Sequence, residues 1–126
     1  MASELRVNTL KDASGNNSIA TSFVAGGSAK AWADYTTAAS FVLNASLNVS
    51  SLTDEGAGDC TINIASAMSS ANYSVTSNVL GGLSGGTKIF QNGAKAAGTY
   101  KQISTNSSGT AGDIGNSYAT IHGDLA

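Results

Sequence analysis

The sequence predicts an all-β chain: an antiparallel β-sandwich of jelly-roll-like form carried on an extended N-terminal arm. Three observations predict it. Apolar residues alternate with polar ones over several short runs, Gly, Ser and Asn clusters punctuate those runs, and no useful stretch repeats apolar residues every three or four positions behind a cap. Short strands at regular spacing argue for two packed sheets. At 126 residues the chain holds one domain with room for a short arm. The boundary falls near residue 28, giving an attachment arm and linker over 1–28 and a β-domain over 29–126.

The first strand is read over 4–10, where Leu5, Val7 and, imperfectly, Leu10 mark one half-exposed face. KDASGNN, 11–17, then reads as a turn. Residues 18–28 mix a few apolar positions with Gly26 and Gly27, which fits an irregular linker better than a helix. The run 29–35 alternates around Trp32, which is read as core. The run 41–53 carries Phe41, Leu43, Ala45, Leu47 and Val49, then shifts phase at Leu52, predicting a bulge or bend. Asp54-Glu55-Gly56-Ala57-Gly58-Asp59 is turn chemistry between alternating runs, the clearest hairpin in the chain. Cys60, Ile62 and Ile64 follow on one face. Residues 65–71 are compatible with one helical turn. Tyr73, Val75, Ser77 and Val79 share the face of a strand over 72–80, and further strands are read over 87–91, 99–105 and 117–122. The stretch 106–115 is polar and Gly-rich and is read as loop.

Composition narrows the function classes. The apolar 41% is heavy in Ala and aromatics are only 6%, so the core is thin and self-association would supply missing apolar area. Charged residues are 11% and the net charge is −2, with Arg6, Lys11, Lys30, Lys88, Lys95 and Lys101 scattered singly. Phosphate binding needs clustered cations, so no nucleic-acid partner is expected. No apolar run reaches the roughly 20 residues of a membrane span, and MASELRVN has no hydrophobic leader core, so synthesis in the cytoplasm without membrane insertion is expected. Cys60 is the one cysteine, which excludes an intramolecular disulfide and a cysteine-based zinc site, and its expected role is filler in a buried strand.

Candidate chemistry is sparse. His122 and Asp124 would share one side of a strand, yet a general base also needs a nucleophile or carboxylate brought to it by the fold. No catalytic residue, cofactor or metal is assigned, and the chain is read as not an enzyme. Asp54, Glu55 and Asp59 offer hard oxygens in a Gly-rich turn, but too few for the six to eight ligands of Ca²⁺. GGLSGGTK, 81–88, places Thr87 before Lys88 and a strand after it, so the order and context of a phosphate loop are missing. Asn-x-Ser triplets begin at Asn16, Asn44, Asn48, Asn72 and Asn106, as expected of an Asn- and Ser-rich composition. Tyr100 and Tyr118 are read as more exposed than Trp32 and suit a wet contact surface.

A resemblance adds to this reading. Ser3-Glu4-Leu5-Arg6-Val7-Asn8-Thr9-Leu10-Lys11-Asp12 followed by Ser14-Gly15-Asn16 resembles the N-terminal segment of marine and cyanobacterial phage fibre proteins. The stretch Ala29-Lys30-Ala31-Trp32-Ala33-Asp34-Tyr35 is similar to an element of the same proteins. So is the order of Ser46-Leu47-Asn48-Val49-Ser50-Ser51-Leu52-Thr53-Asp54, Gly58-Asp59, Ile62-Asn63-Ile64 and Ala71-Asn72-Tyr73. A weaker likeness returns at 119–124. The resemblance implies a virion location and a homotrimer whose arm, through Leu5, Val7 and Leu10, holds another virion protein. It further implies an exposed β-knob whose Tyr100, Tyr118 and loops 81–86 and 106–112 meet a host-surface glycan or protein. A particle decoration or cement protein is the alternative, in which the arm adds a strand to a neighbour's sheet edge.

Overall fold

Alternating runs give strands here because each buries one face and leaves the other in water. A computed structural model of the chain describes residues 3–80, 83 and 95–126, and for 87–91 the backbone path. In chain order come β1 (Thr9–Lys11), β2 (Ser18–Ala20), α1 (Thr21–Gly27), β3 (Ala29–Thr36), β4 (Val42–Leu47), β5 (Val49–Gly56), β6 (Asp59–Ile64), β7 (Ser74–Leu80), β8 (Thr87–Gln91), β9 (Thr99–Asn106) and β10 (Asn116–His122).

The arm departs from the sequence reading in two places. The expected strand over 4–10 is paired only from Thr9, which opposes Ala20 in a three-residue ladder with β2. The expected linker over 18–28 is instead a strand followed by a seven-residue helix. Phe23 and Val24 are the only large apolar residues of that helix and it ends in two glycines, so it offers no 3.6-residue period to read. The turn between β1 and β2 is as expected. Asp12 closes it, accepting from the Asn16 amide at 2.9 Å and the Asn17 side chain at 2.8 Å, with Gly15 at φ +73°. The Asn16 amide contact is the main reason the Asp12 carboxyl sits below its usual range.

The remaining strands form two antiparallel four-stranded sheets, ordered β4-β3-β10-β7 and β5-β6-β9-β8. β10 lies centrally, with Tyr118 opposite Asp34 of β3 and Asn78 of β7. The phase shift predicted near Leu52 has a structural cause at Asn48, which has φ 54° and splits the run 41–53 between the two sheets. Asn tolerates that left-handed conformation. Its side chain pins the corner, donating to the carbonyls of Lys30 and Ser66 at 3.0 Å each and accepting from the Ser66 amide at 2.7 Å. The one helical turn considered over 65–71 is not formed. Met68 instead bridges Leu125, while the amides of Ser69 and Ala126 donate to the carbonyls of Asp124 and Ala67, tying the C-terminal residues down.

The core lies between the facing sheets. Ala31, Ala33, Tyr35, Ala119 and Ile121 come from one, Cys60, Ile62, Ile64 and Tyr100 from the other, and Met68 and Tyr73 close one end. The alternation of 29–35 is as expected, but its phase is opposite to the one that buries Trp32. Trp32 is 38% exposed and Ala31 and Ala33 point inward. Lys30 and Asp34 share the face of Trp32, so turning the indole inward would bury two charges and turn Tyr35, on the same strand, outward; with the alanines inside there is space for the rings of Tyr35 and Tyr100. Cys60 is buried filler, as expected.

Candidate interaction surfaces

The arm presents apolar side chains with nothing over them. Leu5 is 80% and Phe23 75% exposed, and Val7, Leu10, Ile19 and Val24 are also exposed. α1 buries no residue at all. A two-stranded ladder of this length and a seven-residue helix are each below the size that holds in water without packing. Besides the Asp12 turn and the β1–β2 ladder, the arm's local bonds include those of Thr21, whose hydroxyl donates to the Val7 and Asn8 carbonyls, and the exposed Arg6–Glu4 pair at 3.0 Å, which contributes little. At the junction Lys30 Nζ donates to the Ala25 carbonyl and to Ser28 Oγ. Leu5, Val7 and Leu10 therefore sit together on an uncovered segment.

The two outer sheet faces differ in chemistry. On the β4-β3-β10-β7 sheet, register places Leu47, Trp32, Thr120 and Thr76 in one row across the strands, and Ala45, Asp34, Tyr118 and Asn78 in the next. Val42 and Leu80, both exposed, lie further along the same face. Asn44, in the bulge beside Asp34, donates to its carboxylate at 3.1 Å. On the outer face of the β5-β6-β9-β8 sheet the described side chains are polar apart from Ile103. Asn63 donates to Ser51 Oγ and Thr53 Oγ1 at 3.0 Å each, and Lys101 lies 3.4 Å from Asp59 and 3.9 Å from Glu55.

The two tyrosines assigned to a contact surface part company. Tyr118 lies partly buried on the outer face of β10. Tyr100 is a correction: it is 3% exposed, packs in the core, and its hydroxyl is 3.1 Å from Ser77 Oγ of the facing sheet. Strand phase explains this, because β9 turns Tyr100, Gln102 and Ser104 inward and Lys101 and Ile103 outward. Burial raises the Tyr100 hydroxyl pKa, partly offset by Ser77. Of the two candidate loops, 81–86 lies outside the described residues except Leu83. The other is an ordered turn: Asn106 Oδ1 accepts from the amides of Ser108 and Thr110, leaving 107–110 exposed.

The acidic turn is more tightly held than a free hairpin tip. The Gly58 amide donates to Asp113 Oδ1 at 2.6 Å, and the Ser104 amide donates to the Gly58 carbonyl at 2.9 Å. Asp54 accepts from the Gly56 amide and Glu55 from Thr61 Oγ1, while the Lys101 ammonium sits beside Glu55 and Asp59. Among the described residues no group of three or more His, Cys, Asp or Glu is placed to hold a metal ion. His122 lies on the outer face of β10, and Asp124 is exposed beyond the strand end.

These features define an antiparallel β-sandwich with an uncovered N-terminal arm and one outer sheet face carrying aromatic and aliphatic side chains. Comparison with protein-family models, with curated proteins and with solved structures finds no match in any of the three.

Proposed function

We propose that this chain is a phage virion structural protein, a tail fibre-type trimeric subunit that the arm fixes to the particle while the sandwich, a jelly-roll-like knob, meets the host surface. One observation carries the reading: residues 3–28 bury no large apolar side chain and hold Leu5, Val7, Leu10 and Phe23 in the open, next to a body with its own core. Such a segment gains its stability from a partner, and apolar side chains on a short strand suit addition to another protein's sheet edge. The thin, Ala-lined core fits association into a trimer, which removes further apolar area from water. The order of strand, acidic turn and strand that resembles phage fibre proteins supports the virion assignment.

The exposed unpaired edge of the β1–β2 ladder also favours a second reading, a particle decoration or cement protein held by the same residues. Deleting residues 1–10 in the phage distinguishes the two. The fibre reading expects particles that assemble, lack this protein and fail to adsorb. Fragile heads with normal adsorption support the decoration reading, and particles that retain the truncated protein refute attachment through the arm.

A further inference from the structure

Among the described residues, the body's exposed large apolar side chains are unevenly placed. Trp32, Val42, Leu47 and Leu80 all lie on the outer face of the β4-β3-β10-β7 sheet, and Leu125 lies beyond its last strand. Among the described side chains, the opposite outer face carries the Asn63–Ser51–Thr53 bonds and the Lys101 ion pairs, with Ile103 as a half-buried aliphatic residue beside them. Both faces belong to the same sandwich and both would meet water in a monomer, so a need for solubility gives no reason for the difference. Depletion of charge and enrichment in Trp, Tyr and aliphatic residues mark surfaces that meet protein.

The exposed area is also larger than a monomer of this mass needs. The chain exposes 7215 Å², whereas a compact monomer of equal mass exposes about 6,200 Å². The surplus, about 1,000 Å² with the uncovered arm included, is of the size of the roughly 800 Å² that each partner contributes to a stable interface. The face is also self-complementary in charge. Lys30 and Asp34 flank Trp32 on the same strand face, two residues to either side, so a neighbouring copy can set its Lys30 towards this chain's Asp34.

We infer that the outer face of the β4-β3-β10-β7 sheet, centred on Trp32 and Leu47, is the surface through which copies of this chain associate. The inference rests on the oligomeric reading proposed above and adds to it where the contact lies. It leaves the arm free for the particle and turns the β5-β6-β9-β8 sheet outward.

Trp32 is the one tryptophan of the chain, so its fluorescence reports on this face alone. The experiment measures solution mass by light scattering together with Trp32 emission and acrylamide quenching, on the full chain across a dilution series. The expected result is an oligomer in which quenching is several-fold weaker than in the dissociated chain, with emission moving to the red as the mass falls. Leu47→Asp, at a side chain 49% exposed, is expected to bring the mass to one chain with Trp32 fully quenchable and the β circular-dichroism spectrum retained. Thr53→Asp, on the opposite face, is expected to leave mass and quenching unchanged. An oligomer whose Trp32 is as quenchable as free indole, or one that Leu47→Asp leaves intact, overturns the inference while the oligomeric reading stands. A monomer at every concentration overturns both, and Trp32 shielded only on adding oligosaccharide assigns the face to a glycan instead.

Discussion

Replacing Gly58 by alanine tests how the acidic hairpin is clasped. Gly58 has φ +67°, and a Cβ there would lie 2.5 Å from the Gly112 carbonyl oxygen, 2.7 Å from that of Ser104 and 2.8 Å from the Gly112 nitrogen. All three are backbone atoms and cannot swing aside. Gly109 is the natural control, since it has φ +84° and a methyl added there would meet nothing within 4 Å. Either substitution places an L-residue in the left-handed region, at about 1–2 kcal/mol. At Gly58 the turn and the 104–113 backbone must also separate. That separation weakens the Ser104-to-Gly58 bond at 2.9 Å and the Gly58-to-Asp113 bond at 2.6 Å. At about 1 kcal/mol for each bond lost, added to the strain, Gly58→Ala should cost about 3–4 kcal/mol in total. Urea unfolding of both variants reads this directly, with the midpoint falling two to three times as far for Gly58→Ala at unchanged m. Equal midpoint losses would show that the loop does not rest on the turn and would refute the reasoning.

Two further predictions concern the core. Ile62 is fully buried and faces a sheet whose inward residues include Ala31, Ala33 and Ala119; small neighbours cannot close a void, so Ile62→Ala should cost about 3–5 kcal/mol, read as a lowered thermal midpoint. A loss under about 1 kcal/mol would place Ile62 outside the core. Burial, then the carboxylates of Asp54, Asp59 and Glu55, push the Cys60 thiol up to about 12. The unfolded thiol ionises near pH 8.5, so above that pH the unfolded chain binds fewer protons than the native one and stability falls, by up to about 1.4 kcal/mol per pH unit, until the folded pKa is reached. Cys60→Ala should remove this decline between about pH 8.5 and 10, below the range where the tyrosines add theirs. An identical pH profile in the variant would refute the assignment.

Period-two alternation made the strands legible in the sequence. The runs holding Cys60, Ile62 and Ile64, or Tyr73, Val75, Ser77 and Val79, pair one inward with one outward face whatever lies opposite them. Turn chemistry at 11–17 and 54–59 was legible for the same local reason: Asp, Asn and Gly satisfy or permit the turn within a few residues. The same alternation made Leu5, Val7 and Leu10 legible as a half-exposed apolar face, and in the structure all three are exposed.

Phase was harder to read from sequence. In residues 29–35 the clue is that Lys30 and Asp34 share the face of Trp32 while Ala31, Ala33 and Tyr35 share the other, and contacts with the facing sheet, Tyr100 among them, complete the choice. Tyr100 was read outward and lies inward for the same reason, since its partner Ser77 belongs to the opposite sheet. Asn48 looked like one more polar residue in a long strand, and its function as a corner depends on the carbonyls of Lys30 and Ser66. By itself the sequence determined the class of fold, the strands of the body and the local turns, because propensity and period act over a few residues. The tertiary structure decided, where the pattern was ambiguous, which face is core, and therefore which is free to meet a partner, because that choice minimises void and buried polarity across contacts that link distant parts of the chain.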